Sequence, residues 1–415
     1  MGFRYMARWC RGAASRWWLA TLAAGPGVAP AVELQWPGVD LRAETTLQTL
    51  AGEDRYGGSG GRDRYLNVEA RLDIAASCTA DWCAGTRLML KPRARYFDAQ
   101  NDWAGAPQPN ALSWTEAYAS GQVSDSMSWL AGKRYVAWGP GMLYSPTNRL
   151  FPDNGTAAPR REIPGKWLGM VTYSPGQSWV MSGLYADPHL ESVPGVASSG
   201  GFGLMRAEYQ GSGLRPLGAG VVAGGGGAYR PYIGAYAQRL LDDAWTVGAE
   251  FSASHGYART TGEGPVLREN DARWMADALI NLRYGLPSGG ELGVEYLYNG
   301  YRLGTAALRN PVLAAQPAGG IWQSRNRPLH PLPEGHYLNV QALLPSVFGD
   351  RRFGVIFRTL TGLTSGGALT FLELSFSPRD DITAFLGLSR TFGPGDAPLV
   401  RSLRQGIYAA IEIYL

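Results

Sequence analysis

Beyond its first 31 residues, this 415-residue chain has no excess of charge of either sign. Those 31 residues hold Arg4, Arg8, Arg11 and Arg16 and no acid, and the remaining 34 basic residues are matched by 34 acids. A nucleic-acid partner is thereby excluded, because displacing counterions from phosphates needs a net basic face. With 17% charged residues the chain is also too sparsely charged to read as disordered. Long unbroken hydrophobic runs are missing as well. The one uncharged stretch that imitates a membrane helix, Trp167 to Ala186, is split by Ser174-Pro175-Gly176-Gln177, a turn, and reads as two strands folded back on each other. Cysteine and histidine are scarce, at three and four residues. Neither a metal centre nor a cofactor is expected: two Cys with no His nearby make a poor zinc site, and Gly218-Ala-Gly220-Val-Val-Ala-Gly224 has no helix to complete a dinucleotide loop.

What is present begins with an address. Residues 1–31 combine the four arginines, an apolar stretch from Trp17 to Ala24 and Ala29-Pro30-Ala31 as a small-x-small cleavage site, the layout of a signal peptide. An anchor is the poorer reading, since the apolar stretch is shorter than the ~20 residues a spanning helix needs. In an exported compartment Cys78 and Cys83 are expected to form a local disulfide.

Residues 32–415 then read as a single all-β domain. Runs of about ten residues with period-2 alternation, from 39–51 to 406–415, give eighteen candidate strands, with sixteen as the alternative count. In one, Trp274, Ala276, Ala278, Ile280 and Leu282 alternate with Arg273, Met275, Asp277, Asn281 and Arg283. Connections after even strands are short, as at Ser124 to Ser126, and those after odd strands are mostly long, as at 139–166 and 302–335. That parity predicts a transmembrane antiparallel β-barrel in a bacterial outer membrane, with short periplasmic turns and long extracellular loops. Ile407, Ala409, Ile411, Ile413 and Leu415 close the chain with the apolar stripe that the outer-membrane assembly machinery reads.

If apolar side chains face lipid, Arg71, Arg87, Lys91, Arg93, Arg95, Lys133 and Tyr135 face the lumen and form a basic wall, an anion path. Elsewhere the wall is mixed, with acids including Glu250 and Glu295. The segment after strand five, rich in Pro and Gly and carrying Trp138, Pro140, Asn148 and Arg149, is the expected constriction loop.

Gly132-Lys133-Arg134-Tyr135-Val136-Ala137-Trp138-Gly139-Pro140-Gly141, followed by Ser145-Pro146-Thr147-Asn148 and Phe151-Pro152, resembles the strand and loop of alginate-export-type outer-membrane barrels. Glu116-Ala117-Tyr118, Leu240-Leu-Asp-Asp-Ala-Trp245, Glu295-Tyr-Leu-Tyr-Asn299 and Leu374-Ser-Phe-Ser-Pro-Arg-Asp-Asp381 are similar to hairpins of the same group. The resemblance covers nearly the whole exported chain. It implies a barrel of about eighteen strands and an anionic polysaccharide passing through a cationic pore, with Lys133 at the position of a family arginine. The expected function is therefore passive passage or export of a polar, anionic saccharide or exopolysaccharide by a monomer embedded in outer-membrane lipid.

Two other readings compete. One is a plugged barrel whose outer loops, with Trp103 and Trp322, hold surface polysaccharide as a lectin does. The other is a hydrolase in the barrel wall, for which His189, His255, His330 and His336 lack the spacing of a catalytic unit. No catalytic residue is therefore assigned.

Overall fold

A computed structural model describes residues 39–53, 62–78, 85–99, 111–151, 163–187, 201–213, 215–226, 229–255, 274–300, 332, 334–347, 349–402 and 405–414. The expected signal peptide, Cys83, Trp103, His189, Trp322 and His330 lie outside them. Cys78 is disulfide-bonded.

The strands are β1 (Val39–Glu53), β2 (Arg62–Ser77), β3 (Arg87–Ala99), β4 (Ala111–Ser124), β5 (Met127–Arg134), β6 (Lys166–Tyr173), β7 (Trp179–Ala186), β8 (Phe202–Gln210) and β9 (Leu217–Gly226). They continue as β10 (Tyr229–Leu240), β11 (Trp245–His255), β12 (Trp274–Gly285), β13 (Glu291–Asn299), β14 (His336–Leu344), β15 (Phe353–Gly362), β16 (Ala368–Arg379), β17 (Ile382–Phe392) and β18 (Gln405–Tyr414). One short helix, α1 (Pro398–Ser402), lies between β17 and β18.

All eighteen strands belong to one sheet of antiparallel neighbours, and β1 pairs with both β2 and β18, so the sheet returns on itself. Closure pairs every strand edge, which is what a sheet in hydrocarbon requires. The alternation sorts the side chains. On β12, Trp274, Ile280 and Leu282 are exposed, while Met275, Asp277, Leu279 and Asn281 are buried. The closing strand β18 likewise turns Ile407, Ile411 and Ile413 outward and buries Ala410 and Glu412. An exterior band of Leu, Ile, Val, Met and aromatic side chains around a closed sheet is a surface for lipid. Lumen-facing positions, in contrast, carry most of the buried polar groups of the described residues, among them Glu69, Arg93, Glu250, Asn281, Glu295, Asn339, Glu373 and Glu412.

One phase differs from expectation. The register sets Gly132 opposite Tyr118 and Leu168, and Lys133 opposite Ala117 and Trp167. Leu130, two residues before Gly132, is buried inside at 4% exposure. Lys133 therefore lies on the outer, lipid-facing side, one residue from the end of β5, and is not part of the lumen wall. The cause is twofold. Leu130 is apolar yet points inward, where protein covers it, and the strand stops early because the Tyr135 amide donates to the Glu116 carboxylate at 3.1 Å, turning the chain into the barrel.

Candidate functional site in the lumen

The chain that leaves β5 does not run outward from the rim. From Tyr135 to Phe151 it folds into the lumen and reaches the far wall. Its own turns come first. Asn148 anchors them, donating from Nδ2 to the Val136 carbonyl at 2.9 Å and accepting the Phe151 amide on Oδ1 at 3.0 Å. Apolar packing follows. Trp138, Leu150 and Phe151 lie in one buried cluster with the inward residues Leu130, Leu168, Leu184, Phe202, Leu204, Val222, Tyr232 and Tyr236 of β5 to β10. Tyr135 meets the Phe151 ring edge-on at 4.9 Å.

The tip of the loop is held by two carboxylates. Glu250 of β11 accepts the Gly141 amide at 2.7 Å, the Ser145 hydroxyl at 2.8 Å and the Thr147 hydroxyl and amide at 2.9 and 3.3 Å. Glu295 of β13 accepts the Met142 and Leu143 amides at 2.5 and 3.2 Å. Between them Asn281 of β12 donates to the Pro140 carbonyl at 2.7 Å, and Tyr232 of β10 donates to the Thr147 carbonyl at 3.1 Å. Among the described residues neither carboxylate has a cationic partner. Their lone pairs are instead met by loop donors, the remedy a buried charge needs when no ion pair is present. Gly139 makes the approach possible, since its φ is +83° and a Cβ there would stand 2.5 Å from Glu250 Oε1. Arg149 lies beside this seat, its guanidinium 4.9 Å from the Tyr232 ring centre.

A second clasp joins the segment just before β14 to the turn between β15 and β16. Glu334, fully buried just before β14, accepts the Ser365 hydroxyl at 2.6 Å and the Ser365 amide at 3.0 Å, and Asn299 donates to the carbonyls of Leu332 and Glu334. Leu143 and Tyr144 of the inward loop, Leu332 and Leu399 of α1 then share a buried cluster with Leu279, Leu297, Tyr337 and Leu360 of β12 to β15.

The opposite wall holds the expected basic residues, and the structure adds their partners. Arg71 and Arg95 both bind Glu69, at 2.7 and 2.5 Å; Arg93 binds Asp73 at 2.8 Å; Lys91 binds Glu116 at 2.7 Å. Arg87 is exposed at the turn end of β3. Lys91, Arg93 and Arg95 share the lumen face of β3, while Leu88 and Tyr96 face out. Glu69 and Glu116 sit directly across from Arg95 and Lys91 in the register, while Asp73 lies two residues along β2 from the position opposite Arg93; the alternation alone does not mark these acids as site residues. In sequence Glu250 and Glu295 read only as wall charges. The sequence shows a glycine- and proline-rich loop whose amides need acceptors, but not which acids supply them. The described histidines stand apart from the lumen: His255 lies edge-on to Trp274, and His336 shares a 2.7 Å hydrogen bond with the Tyr296 hydroxyl on the outer face.

A closed eighteen-stranded sheet with an apolar outer band and an inward loop defines a class, the outer-membrane β-barrel. Solved structures agree. The outer membrane protein opdK from Pseudomonas aeruginosa aligns with a TM-score of 0.55 at 13% identity, covering 91% of this chain and 99% of its own. OccK5 (OpdH) of the same organism gives 0.55 at 10% identity, with 91% and 97% covered. OccAB2 of Acinetobacter baumannii gives 0.53 at 10%, with 91% and 98% covered. At such identities the likeness establishes the outer-membrane barrel fold, and the narrower alginate-export resemblance rests on its own residues. No family model matches the chain, and no curated protein matches it significantly.

Proposed function

We propose that this protein is an outer-membrane channel for passive passage of small polar solutes, with anionic saccharides as its preferred cargo. The observation that carries the reading is the inward loop fixed across the lumen on Glu250 and Glu295. It narrows the barrel from one side and leaves the path against β2 to β4, where Arg71, Arg87, Lys91, Arg93 and Arg95 stand. Those five cations are only partly offset by Glu69, Asp73 and Glu116, so the path favours anions without trapping them, as conduction requires. A fixed constriction also favours short saccharides over a bulky exopolysaccharide. The plugged, lectin-like reading draws support from the cluster of Leu143, Tyr144, Leu332 and Leu399, which thickens the covered side.

Planar-bilayer recording separates the two. Discrete channels preferring anions, together with faster swelling of proteoliposomes in a sugar acid than in its neutral sugar, are the expected result. Silent bilayers would establish the plug. A cation preference unchanged by replacing Arg87, Arg93 and Arg95 with Ser would remove the anion path.

A further inference from the structure

The outer face of β5 to β11 is hollowed. One hollow of about 830 Å³ is bordered by Trp129, Ala131, Gly169, Tyr185 and Gly203, and a second of about 790 Å³ by Met181, Val221, Ile233 and Phe251. Val171, Gly183, Met205 and Ala223 border both, so the two form one groove. Its floor is glycine and alanine. At Gly169 and Gly183 an added Cβ would meet nothing within 4 Å. Elsewhere the outer face carries large exposed side chains, among them Ile280, Val294, Leu386 and Ile411. Volumes of this size are those that hold small ligands, in the range of ~300–1,000 Å³.

Lys133 supplies the second observation. It follows Ala131 by two residues on the same face of β5, with Trp167 beside it, at the loop end of the groove. Unlike Arg71, Lys91, Arg93 and Arg95, it pairs with no acid among the described residues. A lone cation on a lipid-facing surface costs about 2–4 kcal/mol at mid-bilayer and little near the interface, and the end of β5 is the place where a phosphate can meet it.

We propose that this groove is a binding site for a phosphate-bearing glycolipid of the outer leaflet, with acyl chains in the hollow and a phosphate on Lys133. A second copy of the chain fits less well, because a two-fold interface here would bury the Lys133 of both copies without a described acid to pair them. The site is separate from the conduction path and does not depend on it.

The test is native mass spectrometry of the folded, full-length exported chain in detergent, titrated with diphosphoryl lipid A and with dioleoylphosphatidylcholine. Gly169→Leu and Gly183→Leu, which fill the hollow, are expected to lower lipid A retention about tenfold through lost chain contacts. Lys133→Ser is expected to lower it about fivefold while leaving phosphatidylcholine unaffected. Ala278→Leu, on the far outer face, is the control. Equal retention by wild type and the filled variants overturns the proposal, as does conversion of an oligomer to monomers by filling, which would make the groove a contact between copies. Should the filled variants fail to fold, the ratio of lipid A to phosphatidylcholine on Lys133→Ser decides alone: an unchanged ratio refutes the site.

Discussion

On β2 to β4, Glu69, Asp73 and Glu116 each hold a cation, whereas on β11 and β13 Glu250 and Glu295 hold the amides of a loop. Both walls arise from the same alternation and both place acids in the lumen. What separates them is cover. The loop shields the second wall from solvent and replaces water as hydrogen-bond donor, so its acids need no cation. The first wall remains open enough for Arg95 to keep 38% of its side chain exposed. One wall has become structure, and the other is left to meet solute.

The largest expected effect comes from breaking the covered wall. Glu250→Leu strands the amides of Gly141 and Thr147 and the hydroxyls of Ser145 and Thr147. At about 1–3 kcal/mol for each stranded donor, the loop is expected to leave its seat, and single-channel conductance to rise severalfold. Wild-type conductance would show that the loop does not set the constriction. Gly139→Ala comes next. The left-handed backbone costs about 1–2 kcal/mol in any residue with a Cβ, and this Cβ also meets Glu250. Noisier channels and faster protease cleavage within 139–151 are the expected readouts. Asn148→Ala removes the two bonds that shape the loop's own turn. Its expected cost is about 1–2 kcal/mol, visible as a smaller rise in cleavage with conductance nearly intact.

How much of this was legible follows from the same contrast. Strand count, loop parity and the phases of β2, β3 and β12 could be read because polar side chains alternate inward there, toward the open lumen on β2 and β3 and toward the loop on β12, so that polar-in and apolar-out holds. On β5 to β10 the rule fails. Leu130, Leu168, Leu184, Phe202, Leu204 and Val222 face inward because Trp138, Leu150 and Phe151 pack on them. Lys133 departs from the expected phase for that reason: the apolar side of its strand is not uniquely the lipid side, and only pairing with Ala117 and Trp167 fixes the phase. The loop composition marked Trp138, Pro140 and Asn148, but not their seats. Pro140 and the loop tip sit on Glu250, Asn281 and Glu295, more than a hundred residues away, and no local pattern reports such distances.

The open wall gives the smallest effect and the sharpest discrimination. Replacing Arg87, Arg93 and Arg95 with Ser leaves Arg71 and Lys91 facing Glu69, Asp73 and Glu116, so the wall turns from net basic to net acidic. The anion-to-cation permeability ratio, from reversal potentials in a salt gradient, is expected to fall about threefold, on the order of one kT of wall potential. Glu69→Gln is expected to move the ratio in the opposite direction by less, because Arg71 and Arg95 lose one shared partner. Both shifts should shrink as salt is raised and the Debye length falls below the width of the path. A ratio that moves in neither variant would place the solute away from β2 to β4 and leave no functional distinction between the two walls.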